Sequence, residues 1–176
     1  VKLLIGALLI FSAAFGAEKP WEVKLDDALP LLGHRNWIVI ADSAYPLQSG
    51  EGIDTILADS DQVRVLRHVL AALDKTKHVR PIVYVDKELS FLNDDAVLGI
   101  GPYKATLEDL THNREAHSLP HEEIIHKLDE AGKTFHVLII KTTMTMPYTS
   151  VFLQLDCAYW GPDAEKKLRE AMAGKE

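Results

Sequence analysis

Four short runs rich in β-branched and apolar residues most severely limit what this chain can fold into. Residues 36–41 read Asn-Trp-Ile-Val-Ile-Ala and residues 80–85 read Arg-Pro-Ile-Val-Tyr-Val; residues 135–141 and 150–155 are the other two. Each run reads as a strand, and residues 36–41, closed by Asp42-Ser43, as a buried one. Pro81 falls near the start of its run, where a missing backbone donor matters least. Between the runs the spacing changes. Val63, Val65, Leu66, Val69, Leu70 and Leu73 recur close to every 3.6 residues, which predicts a helix over about 61–76 capped by Asp59 or Ser60. Ser118-Leu119-Pro120 opens a helix over 121–131 that Gly132 stops, and Gly161-Pro162-Asp163 opens a last, heavily charged one to about Ala173.

The remaining segments are less regular. Residues 20–23 read as a linker, 26–32 as a brief helix ended by Gly33, and 45–52 as a loop. Residues 86–120 carry the weakest pattern: a short helix is expected over 103–110 and a loop over 111–119. Strands alternating with helices predict an α/β fold, one layered domain whose central sheet is flanked by helices.

The N-terminus predicts export. Lys2 precedes an apolar stretch from Leu3 to Phe15, followed by small residues and then Glu18-Lys19, which is the secretory signal pattern. Cleavage is expected after Gly16 or, as the alternative, after Ala17. The stretch falls short of the about 20 apolar residues of a transmembrane helix, so an uncleaved anchor is the less favoured reading. Residues 1–17 are thus read as a signal peptide and 18–176 as the folded domain, periplasmic or secreted, with no stable membrane insertion after cleavage. The net charge of −7 and the lack of a basic run argue against a nucleic-acid partner or an anionic membrane surface. Cys157 is the single cysteine, so no intramolecular disulfide forms; its apolar surroundings in sequence predict a buried, inert thiol.

Eight histidines raise the question of a metal. His121 and His126 lie five apart, whereas a zinc-binding helix needs a spacing of four; the fifth residue turns the second ring roughly 140° away. The metal reading fails on that geometry. Gly99-Ile100-Gly101 and Ser49-Gly50-Glu51-Gly52 lack the further residues of a nucleotide-binding loop, and no serine sits in a nucleophile elbow. No metal or cofactor is expected.

The informative stretch is Leu32-Gly33-His34-Arg35-Asn36-Trp37-Ile38-Val39-Ile40-Ala41-Asp42-Ser43-Ala44. It sets a histidine at the entrance of a buried strand and an aspartate at its exit, where open α/β sheets place ligand groups. A turn histidine and a capping aspartate are an equal reading of these residues taken alone. The stretch resembles the Leu-Gly-His … Val-Val-x-Asp-Ala signature of the D-ribose pyranase / L-fucose mutarotase family (the RbsD/FucU proteins). Pro147-Tyr148-Thr149-Ser150 followed by Val151-Phe152-Leu153 is similar to that family's Tyr-x-Asn and its apolar strand, and Ile53-Asp54 falls where the family often has an Ile-Asp pair. The resemblance spans roughly residues 28–160.

The resemblance implies a monosaccharide ring-form isomerase, acting by histidine acid/base chemistry without a cofactor; with the signal pattern, an exported one. It makes His34 the general acid/base, and Asp42, Tyr148, Thr149 and Ser150 substrate-binding. His121 is the further sugar contact, with His126 as alternative. Ser150 stands where the family usually has Asn, and export separates this chain from cytoplasmic members, so a non-catalytic exported sugar-binding or structural protein on the same fold is the alternative. If residues 36–42 form one strand, its ends lie roughly 20 Å apart, and His34 cannot reach the sugar held by Asp42 of its own chain. A homo-oligomer with sites at subunit interfaces is therefore expected.

Overall fold

The computed structural model of the chain describes residues 18–174; the expected signal peptide, residues 1–17, lies outside them. The chain builds α1 (Trp21–Ala28), β1 (Trp37–Ala41), β2 (Ile53–Leu57), α2 (Gln62–Leu73), β3 (Val79–Asp86), α3 (Ile100–Thr111), β4 (Ala116–Leu119), α4 (His121–Gly132), β5 (Val137–Lys141), β6 (Val151–Cys157) and α5 (Pro162–Ala173). The strands form one sheet in the order β2-β5-β1-β6-β3-β4. This is the layered α/β domain expected.

β1 is buried along its whole length, and its alternate residues serve two cores. Ile38 and Ile40 face α1, α2 and α3, against Leu25, Leu66, Leu70 and Ile100. Trp37, Val39 and Ala41 face α4, against Ile124 and Leu128. That two-sided burial is why the run carries no polar alternation. β5 and β6 behave alike, with Ile139 and Phe152 on the α4 side and Leu138 and Leu153 on the other.

α2 buries Val65, Leu66, Val69, Leu70 and Leu73, the stripe its spacing predicts, but Asp61 caps it, accepting from the Arg64 N–H at 2.9 Å. Pro81 sits opposite Leu155 of β6, whose own N–H and C=O both bond the segment leading into β1. The missing Pro81 donor therefore faces the other edge of β3, where β4 begins only opposite Val83.

Three expectations need correction, and one strand, β2, has no counterpart among them. α1 begins at Trp21, inside the expected linker, because Trp21 and Leu25 lie one turn apart and both pack into the core. Residues 116–119 are a strand, not a loop; β4 is an edge with exposed side chains, so no apolar pattern announces it. β2 is the opposite edge, with Ile56 its only buried residue. Cys157 is half-buried at the end of β6 rather than enclosed.

Gly52 leads into β2 where two backbones meet. A Cβ there would lie 2.5 Å from the Gly132 carbonyl oxygen and 2.8 Å from that of Phe135. Among the described residues, no helix is long and apolar enough to cross a membrane.

Candidate functional site

β6 alone runs against the other five strands. The exits of β1, β3 and β4 and the entrance of β6 therefore share one edge of the sheet. Asp42 follows β1, Asp86 ends β3, His121 starts α4 just after β4, and Tyr148–Ser150 lead into β6. An open cleft of about 420 Å³ lies there, lined by Asp42, Tyr45, Asp86, His121, Glu122 and Tyr148 among others.

The Asp42 carboxylate is fixed from two sides. Oδ1 accepts the Ala44 N–H at 2.8 Å, and Oδ2 accepts the Ser150 hydroxyl at 2.9 Å; the Ser150 oxygen in turn accepts the Asp42 N–H at 3.1 Å. Ser150 is buried, and its hydroxyl is committed to holding Asp42. Thr149 is fully buried beneath the cleft. Its hydroxyl donates to the Met146 carbonyl, and its carbonyl accepts from the Tyr103 hydroxyl at 2.5 Å and from the Gln62 amide. Tyr148 is the member of this trio that faces solvent, 40% exposed, and its backbone is left-handed at φ 57°. A non-glycine residue held there is strained, and such residues gather at functional sites.

His121 completes the cleft. Its Nδ1 lies 3.0 Å from Asp86 Oδ1, its backbone N–H donates to the Glu88 carboxylate at 3.1 and 3.2 Å, and its ring meets Tyr148 edge-on with centroids 5.8 Å apart. Asp86 is 1% exposed, and its second oxygen, Oδ2, has no hydrogen-bond partner among the described residues. Burial pushes the Asp86 carboxyl up from its ordinary value; the His121 imidazole opposes this, and the Glu88 and Asp42 charges add to it. Asp86 is a buried cleft residue missing from the sequence expectations. Its signal is the one that marks Asp42, a carboxylate at a strand's exit. Tyr45, on the cleft wall, is pushed up to about 12, first by burial and then by the Asp129 charge.

His34 is elsewhere. It is exposed in the turn before β1, at the opposite edge of the sheet, and lines a cavity of about 740 Å³ with Arg35, His78, Cys157 and Trp160. Arg35 beside it is, among the described residues, the other non-glycine residue with positive φ, 74°. His34 and Asp42 thus stand at opposite ends of β1 and share no cavity within the chain. His126 faces a third cavity with Trp37 and Phe135, so of the two helix histidines only His121 enters the cleft. Among the described residues, no three His, Cys, Asp or Glu side chains gather as a metal ion would need.

The family model described as the RbsD / FucU transport protein family matches residues 22–158. The chain belongs to this family. RbsD from Bacillus subtilis, solved in complex with D-ribose, is 26% identical, with a TM-score of 0.52 over 74% of this chain and 89% of that one. The fucose mutarotase of Streptococcus pneumoniae, solved with L-fucose, shares the fold at 20% identity and a TM-score of 0.50, over 77% of this chain and 94% of its own. FucU from Bifidobacterium longum does so at 16% identity and 0.50, over 75% and 92%. No curated protein matches the sequence. The family match ends just before α5, which carries no buried residue and extends the RbsD/FucU domain past its last strand.

Proposed function

We propose that this chain is a monosaccharide ring-form isomerase, of the pyranase or mutarotase kind, working without a cofactor on a site shared between copies. The observation that carries the reading is that Asp42, Tyr148 and a carboxylate-backed His121 face one open cleft at the strand exits. Such a cleft suits a small polyhydroxylated ring: an oriented carboxylate accepts hydroxyl hydrogens, and an aromatic ring supplies a flat apolar face. The relative from Bacillus subtilis, whose structure holds D-ribose, supports a sugar as the ligand class.

Ring opening needs a base for the anomeric hydroxyl proton and an acid for the ring oxygen. Histidine serves both tasks near neutral pH. His34 is exposed and cannot reach the cleft of its own chain, so in this proposal it enters the cleft of a neighbouring copy in a homo-oligomer. Export, expected from residues 1–17, would place this chemistry in the periplasm or outside the cell. The commitment of the Ser150 hydroxyl to Asp42 favours, as second reading, a sugar-binding or structural protein that does not catalyse.

Saturation-transfer NMR on free ribose and fucose separates the two. Exchange between anomeric signals that is faster with the wild type than with His34→Ala upholds the isomerase. Broadened sugar signals with equal exchange rates leave only the binder.

A further inference from the structure

The fold gains little from the Asp86 carboxylate. It is buried, it makes a single hydrogen bond, and its Oδ2 has no partner among the described residues. Burying an ionisable group with half its hydrogen-bonding capacity unmet is unfavourable, and an apolar residue at a strand end would avoid it. The one group it does bond is the ring that opens onto the cleft. Nδ1 of His121 faces Asp86, and Nε2 on the far side of the ring has no partner among the described residues. The ring's backbone is pinned as well, since Glu88 takes the His121 N–H with both carboxylate oxygens. Tyr148 closes on the ring edge. The charged or titratable groups facing the pair are Glu88 from the turn after β3, Asp42 and Tyr45 from the segment after β1, Tyr103 from α3, and Glu122 and Tyr148 from α4 and the segment before β6.

We propose that Asp86 is a positioning residue that keeps a proton on His121 Nδ1 and so presents Nε2, unprotonated, to the sugar as the base of ring opening. This rests on the isomerase reading of the cleft. An acceptor-only carboxylate against Nδ1 requires a donor there, which leaves the Nε2 lone pair for the ligand. In the step that follows, Nε2 takes the anomeric hydroxyl proton. A carbonyl forms at the anomeric carbon as its bond to the ring oxygen breaks, and the ring oxygen takes a proton from protonated His34 of a neighbouring copy. Closure on the other face, or through another hydroxyl, returns both protons. Asp86 never touches the sugar; its charge steadies the imidazolium while His121 carries the proton.

Asp86→Asn keeps the side chain's size and removes the charge. Two readouts apply: the ring tautomer of His121, from long-range ¹⁵N–¹H NMR at alkaline pH, and ring exchange of ribose and fucose. The expected results are an Nδ1–H tautomer in the wild type and a shift toward Nε2–H in Asp86→Asn. In parallel, kcat should fall at least about tenfold with KM within about threefold, and Asp86→Asn/His121→Asn should lose no more than His121→Asn alone. A wild-type ring protonated on Nε2 overturns the proposal even if the variant does not fold. So does a variant with unchanged tautomer and unchanged kcat. A protein that exchanges no sugar yet shows the tautomer shift upholds the positioning role and fails only the isomerase reading.

Discussion

Ser150 and Asp42 hold each other reciprocally: the Ser150 hydroxyl donates to the Asp42 carboxylate and accepts the Asp42 backbone N–H, across 108 residues of sequence. The entrance of β6 thereby fixes a carboxylate at the exit of β1. The Ser150 hydroxyl is thereby spent on Asp42.

Removing that hydroxyl should free the carboxylate without opening the core. Hydrogen bonds to charged groups contribute about 1.5–3 kcal/mol, so Ser150→Ala is expected to weaken sugar binding by roughly tenfold or more. The fold should survive, because β6 keeps its pairing with β1 and β3 from Val151 onward. Titration of the sugar by NMR, beside a urea unfolding curve, checks both halves.

Tyr148 should split affinity from stability in the same sense, for a different reason. Its left-handed backbone is disfavoured by about 1–2 kcal/mol for a residue with a Cβ. Glycine removes that strain but loosens the unfolded chain by a similar amount. Tyr148→Gly is therefore expected to unfold at nearly the wild-type temperature while losing the sugar contact, and Tyr148→Phe to keep part of it. A thermal scan and saturation-transfer difference spectra on the same samples decide it.

What the sequence reveals follows burial. β1, β3, β5 and β6 lie inside the sheet, and their apolar runs stand out. β2 and β4 are edges with exposed side chains, so their Ile-Asp-Thr-Ile-Leu and Ala-His-Ser-Leu carry no period. The site follows the same division. Asp42 and Tyr148 sit in short motifs beside buried strands and can be found locally. Asp86 meets His121 across 35 residues only because β3 pairs in parallel with β4, and no local spacing encodes that meeting. Thr149 belongs to the right segment, but its neighbours in sequence do not reveal that its polar atoms face inward.

Gln62 is another residue whose role emerges only in three dimensions. It is fully buried at the start of α2, donates to the Tyr103 hydroxyl and the Thr149 carbonyl, and accepts from the Thr142 hydroxyl at 3.0 Å. One amide thus ties α2, α3 and the segments bounding β5 and β6 beneath the cleft. Gln62→Leu preserves volume but leaves several of these groups underbonded, and about 2–4 kcal/mol of stability should be lost. Urea unfolding measures it; a loss below 0.5 kcal/mol, the ordinary range of surface substitutions, would mean that water replaces the amide.

Asp86 links stability to pH with a sign opposite to that of most aspartates. Its folded carboxyl titrates above the ordinary 3.8, with burial the leading cause. Holding the proton therefore favours the folded state. That contribution is whole below pH 3.8 and drains away as pH rises through the higher folded value. Asn at this position does not titrate, so Asp86→Asn should gain stability relative to the wild type as pH is raised from about 3.5 toward neutrality. His121, Glu88 and Asp42 face the group, and only His121 opposes the trend. Urea midpoints of the two proteins across that range test the balance. A variant that instead loses ground on the way up would show that the Asp86–His121 attraction outweighs burial. A variant that gains stability while its ring exchange falls would identify a carboxylate kept for chemistry at the expense of the fold.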